Sequence, residues 1–184
     1  EYILKTTPTP LQDCFILEPT IFKDERGIFF ESFNKKVFEK ISGLKIHFVQ
    51  DNQSFSKRGV LRGLHFQKGK YAQAKLVRVI QGEVLDVVVD LRPVSTTFRK
   101  HFSMILNDKN HSQLFVPRGF AHGYITLSEN AIFAYKCDNY YNKASESGII
   151  YNDSDLSIDW KLDASKIQLS SKDKELPFFK NLKL

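Results

Sequence analysis

Cysteine is scarce in this chain. Only Cys14 and Cys137 occur, in neither a Cys-x-x-Cys nor a zinc-ligand spacing. That excludes a disulfide framework and a thiolate metal site, and predicts two reduced thiols. A His-x-His pair is also missing, and with it the usual signature of a metal-binding β-barrel. Long apolar runs are absent: stretches such as Val87-Val88-Val89 are far too short to cross a bilayer, and the N-terminal region has no basic-then-apolar secretory pattern. A cytoplasmic protein without a membrane partner is expected. The chain opens on Glu1 rather than methionine, which is compatible with a longer natural chain. Basic residues exceed acidic ones by 27 to 21, a formal charge of +6, yet they are scattered, with no basic block and no aromatic-plus-basic motif. This argues against nucleic acid and for an anionic small molecule gripped by a few focused cations.

What is present is ordinary globular composition, 42% hydrophobic and 26% charged, without repeats or low-complexity tracts, over 184 residues. A single domain spanning 1–184 is expected. The prolines of Thr6-Thr7-Pro8-Thr9-Pro10 predict an extended lead-in, with the fold proper after it. Phe29, Glu31 and Phe33 alternate after the turn Asp24-Glu25-Arg26-Gly27 and predict a strand. Val37, Phe38 and Ile41 recur at helical spacing and predict a short helix over 35–41, ended by Ser42-Gly43. Strands are predicted over 46–50 and 60–67, flanking a polar loop at 52–58. A hairpin is predicted from 75–80 and 83–91 around Gln81-Gly82, with further strands at 102–106, 112–116, 122–127 and 131–137. The tail from Ser165 reads as irregular or weakly helical, folding back over the rest. Many short strands without a β-then-helix alternation predict an all-β sandwich or barrel, best a jelly roll.

Two stretches suggest a site, Arg62-Gly63-Leu64-His65-Phe66-Gln67 and Val116-Pro117-Arg118-Gly119-Phe120-Ala121-His122-Gly123, each setting a histidine beside glycine and apolar residues. Strict alternation puts Lys75 on one face with Val77 and Val79, and Tyr135 with Ala131, Phe133 and Cys137; both faces are expected to line the barrel interior. An ammonium among apolar residues demands a partner or a purpose. A base, a cation and a phenol on neighbouring strands are the parts needed to move a proton next to a carbonyl. Alternation also sets Arg62 on the face opposite His65 unless Gly63 carries a bulge. Taken singly, His65 and His122 read as hydrogen-bonded structural histidines, and Tyr135 as a core tyrosine. His47, His101 and His111 read as surface residues.

Ordered motifs add a further argument: Phe22-Lys23-Asp24-Glu25-Arg26-Gly27, Val49-Gln50-Asp51-Asn52, Gly59-Val60-Leu61-Arg62-Gly63-Leu64-His65, Gln73-Ala74-Lys75-Leu76-Val77, Gly82-Glu83-Val84-Leu85-Asp86-Val87, Gly119-Phe120-Ala121-His122-Gly123 and Leu169-Ser170-Ser171-Lys172-Asp173. Through them the chain resembles the cupin-fold nucleotide-sugar epimerases, and among these the dTDP-4-dehydrorhamnose 3,5-epimerase family, from about Phe15 to Asp173. The resemblance implies a homodimeric cupin-type double-stranded β-helix with short peripheral helices, without cofactor or metal. It implies inversion at C3 and C5 of dTDP-4-dehydro-6-deoxy-D-glucose. By the same resemblance His65 is the general base, Asp173 its orienting carboxylate, Tyr135 the proton donor and Lys75 the enolate stabiliser. Arg26, Glu31, Gln50, Asn52, Arg62, His122, Glu146 and Lys172 are implied in substrate binding, and Phe22 and Tyr141 at the thymine. Asn142-Lys143-Ala144 stands where the family usually has a proline-containing turn. His122 keeps a structural reading beside the binding one. A 3-epimerase, a 5-epimerase, a ketoisomerase and a non-catalytic sugar-nucleotide-binding jelly roll remain the alternatives. The early position of Arg26 leads us to expect that Phe22 and Arg26 reach the site from a partner subunit.

Overall fold

The computed structural model describes residues 4–184. Its strands, in chain order, are β1 (Lys5–Pro8), β2 (Phe15–Glu18), β3 (Phe22–Asp24), β4 (Gly27–Phe29), β5 (Gln50–Lys57), β6 (Leu61–Gln67), β7 (Lys75–Gln81), β8 (Glu83–Asp90), β9 (His101–Asn107), β10 (Gln113–Val116), β11 (Phe120–Thr126), β12 (Asn130–Cys137) and β13 (Glu146–Gly148). Helices α1 (Lys35–Ser42) and α2 (Ser171–Lys174) accompany them. One sheet has the order β1-β2-β10-β7-β12-β5, a second the order β13-β6-β11-β8-β9, and β3 and β4 form a separate hairpin. This is the expected jelly roll.

The sheets close on an interior to which Val77, Val79, Leu114, Val116 and Phe133 contribute from one side and Val84, Val88, Leu106, Phe120 and Tyr124 from the other. On the outer face of the second sheet Leu85, Val87, Val89, Ala121 and Ile125 meet Leu156, Trp160 and Phe179 of the C-terminal segment, so the tail does fold back. Strand β8 is therefore covered on both faces, which explains its nearly unbroken valine run. Each fully buried valine there contributes roughly 1.5–3 kcal/mol. Helix α1 begins where Asn34 Oδ1 accepts from the Val37 N–H at 3.2 Å. It ends at Gly43, whose φ of 70° carries the chain out of the helix. Its Phe38 packs with Phe15, Phe48 and Phe115 on the outer face of the first sheet. Both cysteines are free and buried.

Several expectations need correction. The proline-rich lead-in is strand β1, paired with β2; it lies at a sheet edge, where Pro8 removes no ladder bond the fold needs. The strand after the first turn ends at Phe29, so Glu31 and Phe33 lie beyond it. The expected strand at 46–50 is not formed, whereas the supposed polar loop is strand β5. Gln50, Asn52, Ser54 and Ser56 alternate with more exposed residues on β5, but their inward face is polar, so hydrophobic patterning fails to mark it. Strands β7 and β8 are not a paired hairpin. The chain turns at Gly82, with φ of 83°, and changes sheets, β7 pairing with β10 and β12 and β8 with β9 and β11. Of the histidines read as surface residues, His101 and His111 are half-buried, and His111 packs against Phe30 with ring centroids 4.9 Å apart.

The bulge postulated at Gly63 is present. The β6–β11 register shifts between His122 and Tyr124. Leu61, Leu64 and Phe66 then pack into the outer layer, while Arg62 and His65 share a cleft on the inner side. Gly63 adopts φ of 119°, and a Cβ there would stand 2.7 Å from both Gly123 Cα and the His122 carbonyl oxygen. Gly63→Ala is therefore expected to cost about 3 kcal/mol of stability through backbone strain and overpacking. Urea denaturation measures this, and an undiminished midpoint would contradict the packing argument.

Candidate active site

The inner faces of β5, β6, β7, β11 and β12 open on a cleft of about 530 Å³ lined by Asn52, Arg62, His65, Lys75, His122 and Tyr135, with Lys172 and Asp173 from the tail. A second lobe of about 540 Å³ continues past His65, Lys75 and Tyr135 to Gln50, Tyr141 and Glu146. Most of the residues singled out in the sequence thus converge. Phe22 and Arg26 do not: they line a hollow of about 440 Å³ on the β3–β4 hairpin, where Arg26 forks onto Asp24. Glu31 lies in a small hollow beside α1 with Phe33, Val37 and Phe38.

His65 and Asp173 are held by mutual contacts. Asp173 lies in the single turn α2, capped by Ser170 Oγ, which accepts from the Asp173 N–H at 3.1 Å. One carboxylate oxygen is 2.5 Å from His65 Nε2, and the other accepts from the Gly63 N–H at 3.2 Å. Burial alone would raise the Asp173 pKa, but the bonds to His65 and Gly63, with Lys172 nearby, hold it below the ordinary aspartate value.

On the opposite sheet, the Lys75 ammonium stands 5.4 Å from the centre of the Tyr135 ring. Burial pulls the Lys75 pKa down, while the charges of Asp86 and Glu146 act the other way. Burial raises the Tyr135 pKa against the bond to Asn52, so the phenol keeps its proton. His122 Nε2 and Asp86 Oδ2 are hydrogen-bonded at 2.8 Å. Burial raises the Asp86 pKa, opposed by His122 and Lys75. At the second lobe the Tyr141 hydroxyl donates to Glu146 Oε2 at 2.8 Å, and Lys172 Nζ lies 2.5 Å from the same oxygen. Burial would raise the Glu146 pKa, but these bonds hold it below the ordinary value.

Sequence reasoning passed over Asp86 and Gln67. Asp86 is a carboxylate in an apolar strand, a signal visible in the residues alone. Among the described residues no group of three or more His, Cys, Asp or Glu is arranged to hold a metal ion, and no helix is long and apolar enough to cross a membrane.

A jelly roll whose interior opens on a polar cleft, with a histidine hydrogen-bonded to a buried aspartate and facing a lysine and a tyrosine, defines a small-molecule-binding cupin. The sequence profile of the dTDP-4-dehydrorhamnose 3,5-epimerases matches residues 8–181, and the chain belongs to this family. It is 52% identical to the dTDP-4-dehydrorhamnose 3,5-epimerase of Salmonella typhimurium, covering 92% of each chain. The crystal structure of the Elizabethkingia anophelis dTDP-4-dehydrorhamnose 3,5-epimerase is similar at a TM-score of 0.93 and 58% identity, over 97% of both chains. The dTDP-6-deoxy-D-glucose-3,5-epimerase of Legionella pneumophila, solved in complex with dTDP-4-keto-L-rhamnose, is similar at a TM-score of 0.94 and 45% identity, over 98% of this chain and 95% of that one.

The lowered Asp173 pKa fixes a pH dependence of stability. The unfolded chain takes up this proton more readily than the folded one. The contribution is therefore present above the ordinary value of about 3.9 and is lost as pH falls through the lowered one. Asp173→Asn should cost about 2 kcal/mol near neutrality. Its deficit against the wild type should hold steady from about pH 7 to about 4 and narrow as the pH is taken further down, to about 2. Denaturant titration across that range checks this; a deficit independent of pH would show that the charge is not what stabilises.

Proposed function

We propose that this chain inverts C3 and C5 of dTDP-4-dehydro-6-deoxy-D-glucose without a cofactor, forming dTDP-4-dehydro-L-rhamnose, by removing a proton beside the C4 ketone and returning one to the opposite face. The observation that carries this is the placement of base and acid on opposing sheets: His65 projects from β6, and Tyr135 from β12, into one cleft. Retention needs one proton carrier; inversion needs two, facing each other.

The ketone acidifies both neighbouring C–H bonds, yet the enolate is too high in energy without a preorganised charge at its oxygen. Lys75 supplies that charge from the sheet that bears Tyr135. His65 gives Nε2 to Asp173, so Nδ1 is the nitrogen left to take the proton, and the anionic carboxylate stabilises the imidazolium that forms. Tyr135, kept protonated by burial, delivers its proton from the other side. His122, backed by Asp86, provides a further hydrogen bond within the cleft. Arg62 and Lys172 suit the diphosphate, and Gln50, Tyr141 and Glu146 line the lobe that suits the nucleoside.

Phe22 and Arg26 enter this scheme through a homodimer. The β3–β4 hairpin presents Phe22 at 44%, Ile28 at 50% and Phe29 at 62% exposure, an apolar projection suited to a second copy of the chain. Arg26 at its tip then meets the partner subunit's diphosphate site.

His65→Ala should lower solvent-deuterium incorporation at both carbons by a factor on the order of 10²–10⁴. Tyr135→Phe should separate two events. His65 still removes a proton and returns deuterium to the same face, so exchange persists while inversion collapses. NMR of the product in deuterated water reads each carbon, and a Tyr135→Phe enzyme that inverts both at the wild-type rate would remove Tyr135 from the mechanism. The dimer has its own test. Arg26→Ala and His65→Ala chains, each poorly active alone, should regain about a quarter of wild-type turnover when mixed and reassociated, because half the mixed dimers' sites are intact. A fully active monomer in sedimentation would refute the shared site.

A further inference from the structure

Tyr141 is 55% exposed at the mouth of the second lobe, yet its backbone is secured on every side. Its own N–H donates to Gln50 Oε1 at 3.0 Å. The carbonyl of Tyr140 accepts from Gln67 Nε2 at 3.1 Å, and the N–H of Asn142 donates to Gln67 Oε1 at 2.7 Å. Gln67 Nε2 also donates to the Tyr71 carbonyl at 2.7 Å. The Gln67 amide faces two acceptors with its nitrogen and one donor with its oxygen, so its orientation is fixed by its partners.

Gln67 is buried, at 6% exposure. A glutamine there is costly unless its bonds are all made, and an apolar side chain would fill the space more cheaply, so the amide is kept for what it holds. It lies two residues beyond His65 on β6, on the same face of the strand. Gln50 reaches the loop from β5, in the other sheet. Two glutamines, one from each sheet, thus grip the peptide groups on both sides of Tyr141.

We infer that Gln67 is a positioning residue that ties the Tyr141 loop to the strand bearing His65, so that the ring gripping the nucleobase stands at a fixed distance from the base. This rests on the nucleotide-sugar reading of the cleft. Gln67→Met preserves volume and removes all three bonds. The dissociation constant for dTDP and the KM for the dTDP-sugar should each rise about tenfold, with kcat within about twofold of the wild type. Because Gln67 acts through Tyr141, the loss should vanish in a Tyr141→Ala background, where adding Gln67→Met leaves dTDP affinity unchanged. Additive losses, or wild-type dTDP affinity in Gln67→Met alone, overturn the inference. If Gln67→Met does not fold, Gln67→Glu keeps the length and the acceptor for Asn142, and the same outcomes decide. A wild-type chain that fails to bind dTDP overturns the nucleotide reading itself. Wild-type binding that Gln67→Met leaves intact overturns only the positioning role.

Discussion

The Asp173 carboxylate bonds at once to the Gly63 N–H and to His65 Nε2. Through these two bonds a tail residue fixes both a backbone irregularity and an imidazole. The shift at Gly63 brings Arg62 and His65, three residues apart, onto one face; the carboxylate accepts the N–H that the shift leaves pointing at it. Remove the glycine and the strand collides with Gly123. Remove the carboxylate and a backbone donor and an imidazole are both left to find other partners. The C-terminal segment therefore belongs to the site as much as the strands do. Its apolar residues Leu156, Trp160 and Phe179 hold it against the outer face of the second sheet, which lets Asp173 stay in register with His65.

The two sheets divide the work. Strand β8, apolar and covered on both faces, closes the barrel and anchors the fold. Strand β5 does the reverse: its inner face is Gln50, Asn52, Ser54 and Ser56, and Ser54 Oγ lies 2.6 Å from the Tyr124 hydroxyl while Ser56 accepts from Arg62 at 3.1 Å. Those polar groups satisfy one another where the barrel opens, so the cleft is held by hydrogen bonds that orient Arg62 and Tyr135 rather than by apolar packing.

This division explains what was legible in the sequence. Strands β6 to β12 alternate or run apolar as buried strands must, and α1 carried its periodicity and its glycine stop. Lys75 and Tyr135 stood out because alternation placed them among apolar neighbours. Strand β5 escaped because its inward residues are polar, and the sheet change at Gly82 escaped because two β-rich runs around a glycine look the same whether they pair or part. Asp173 lay in the run Ser170-Ser171-Lys172-Asp173-Lys174-Glu175, which resembles a solvated surface; only the family's ordered motifs pointed to it. Its contact with His65 spans 108 positions in the chain, beyond the reach of any local pattern.

The interior charges obey a common logic. Lys75, Asp86 and Tyr135 each sit where burial penalises the ionised form, and each is met by a neighbour that resists the penalty. Asp86 faces His122 and the field of Lys75; Lys75 has Asp86 and Glu146 within its field; Tyr135 has Asn52. Burial and partners pull in opposite directions, which leaves Lys75 easier to deprotonate and Tyr135 harder to ionise than in water. An interior built only for stability would replace such groups with apolar ones of the same size. Their retention on facing sheets, around a cleft rather than inside the sealed half of the barrel, is what a reaction that shuttles protons across a sugar ring requires.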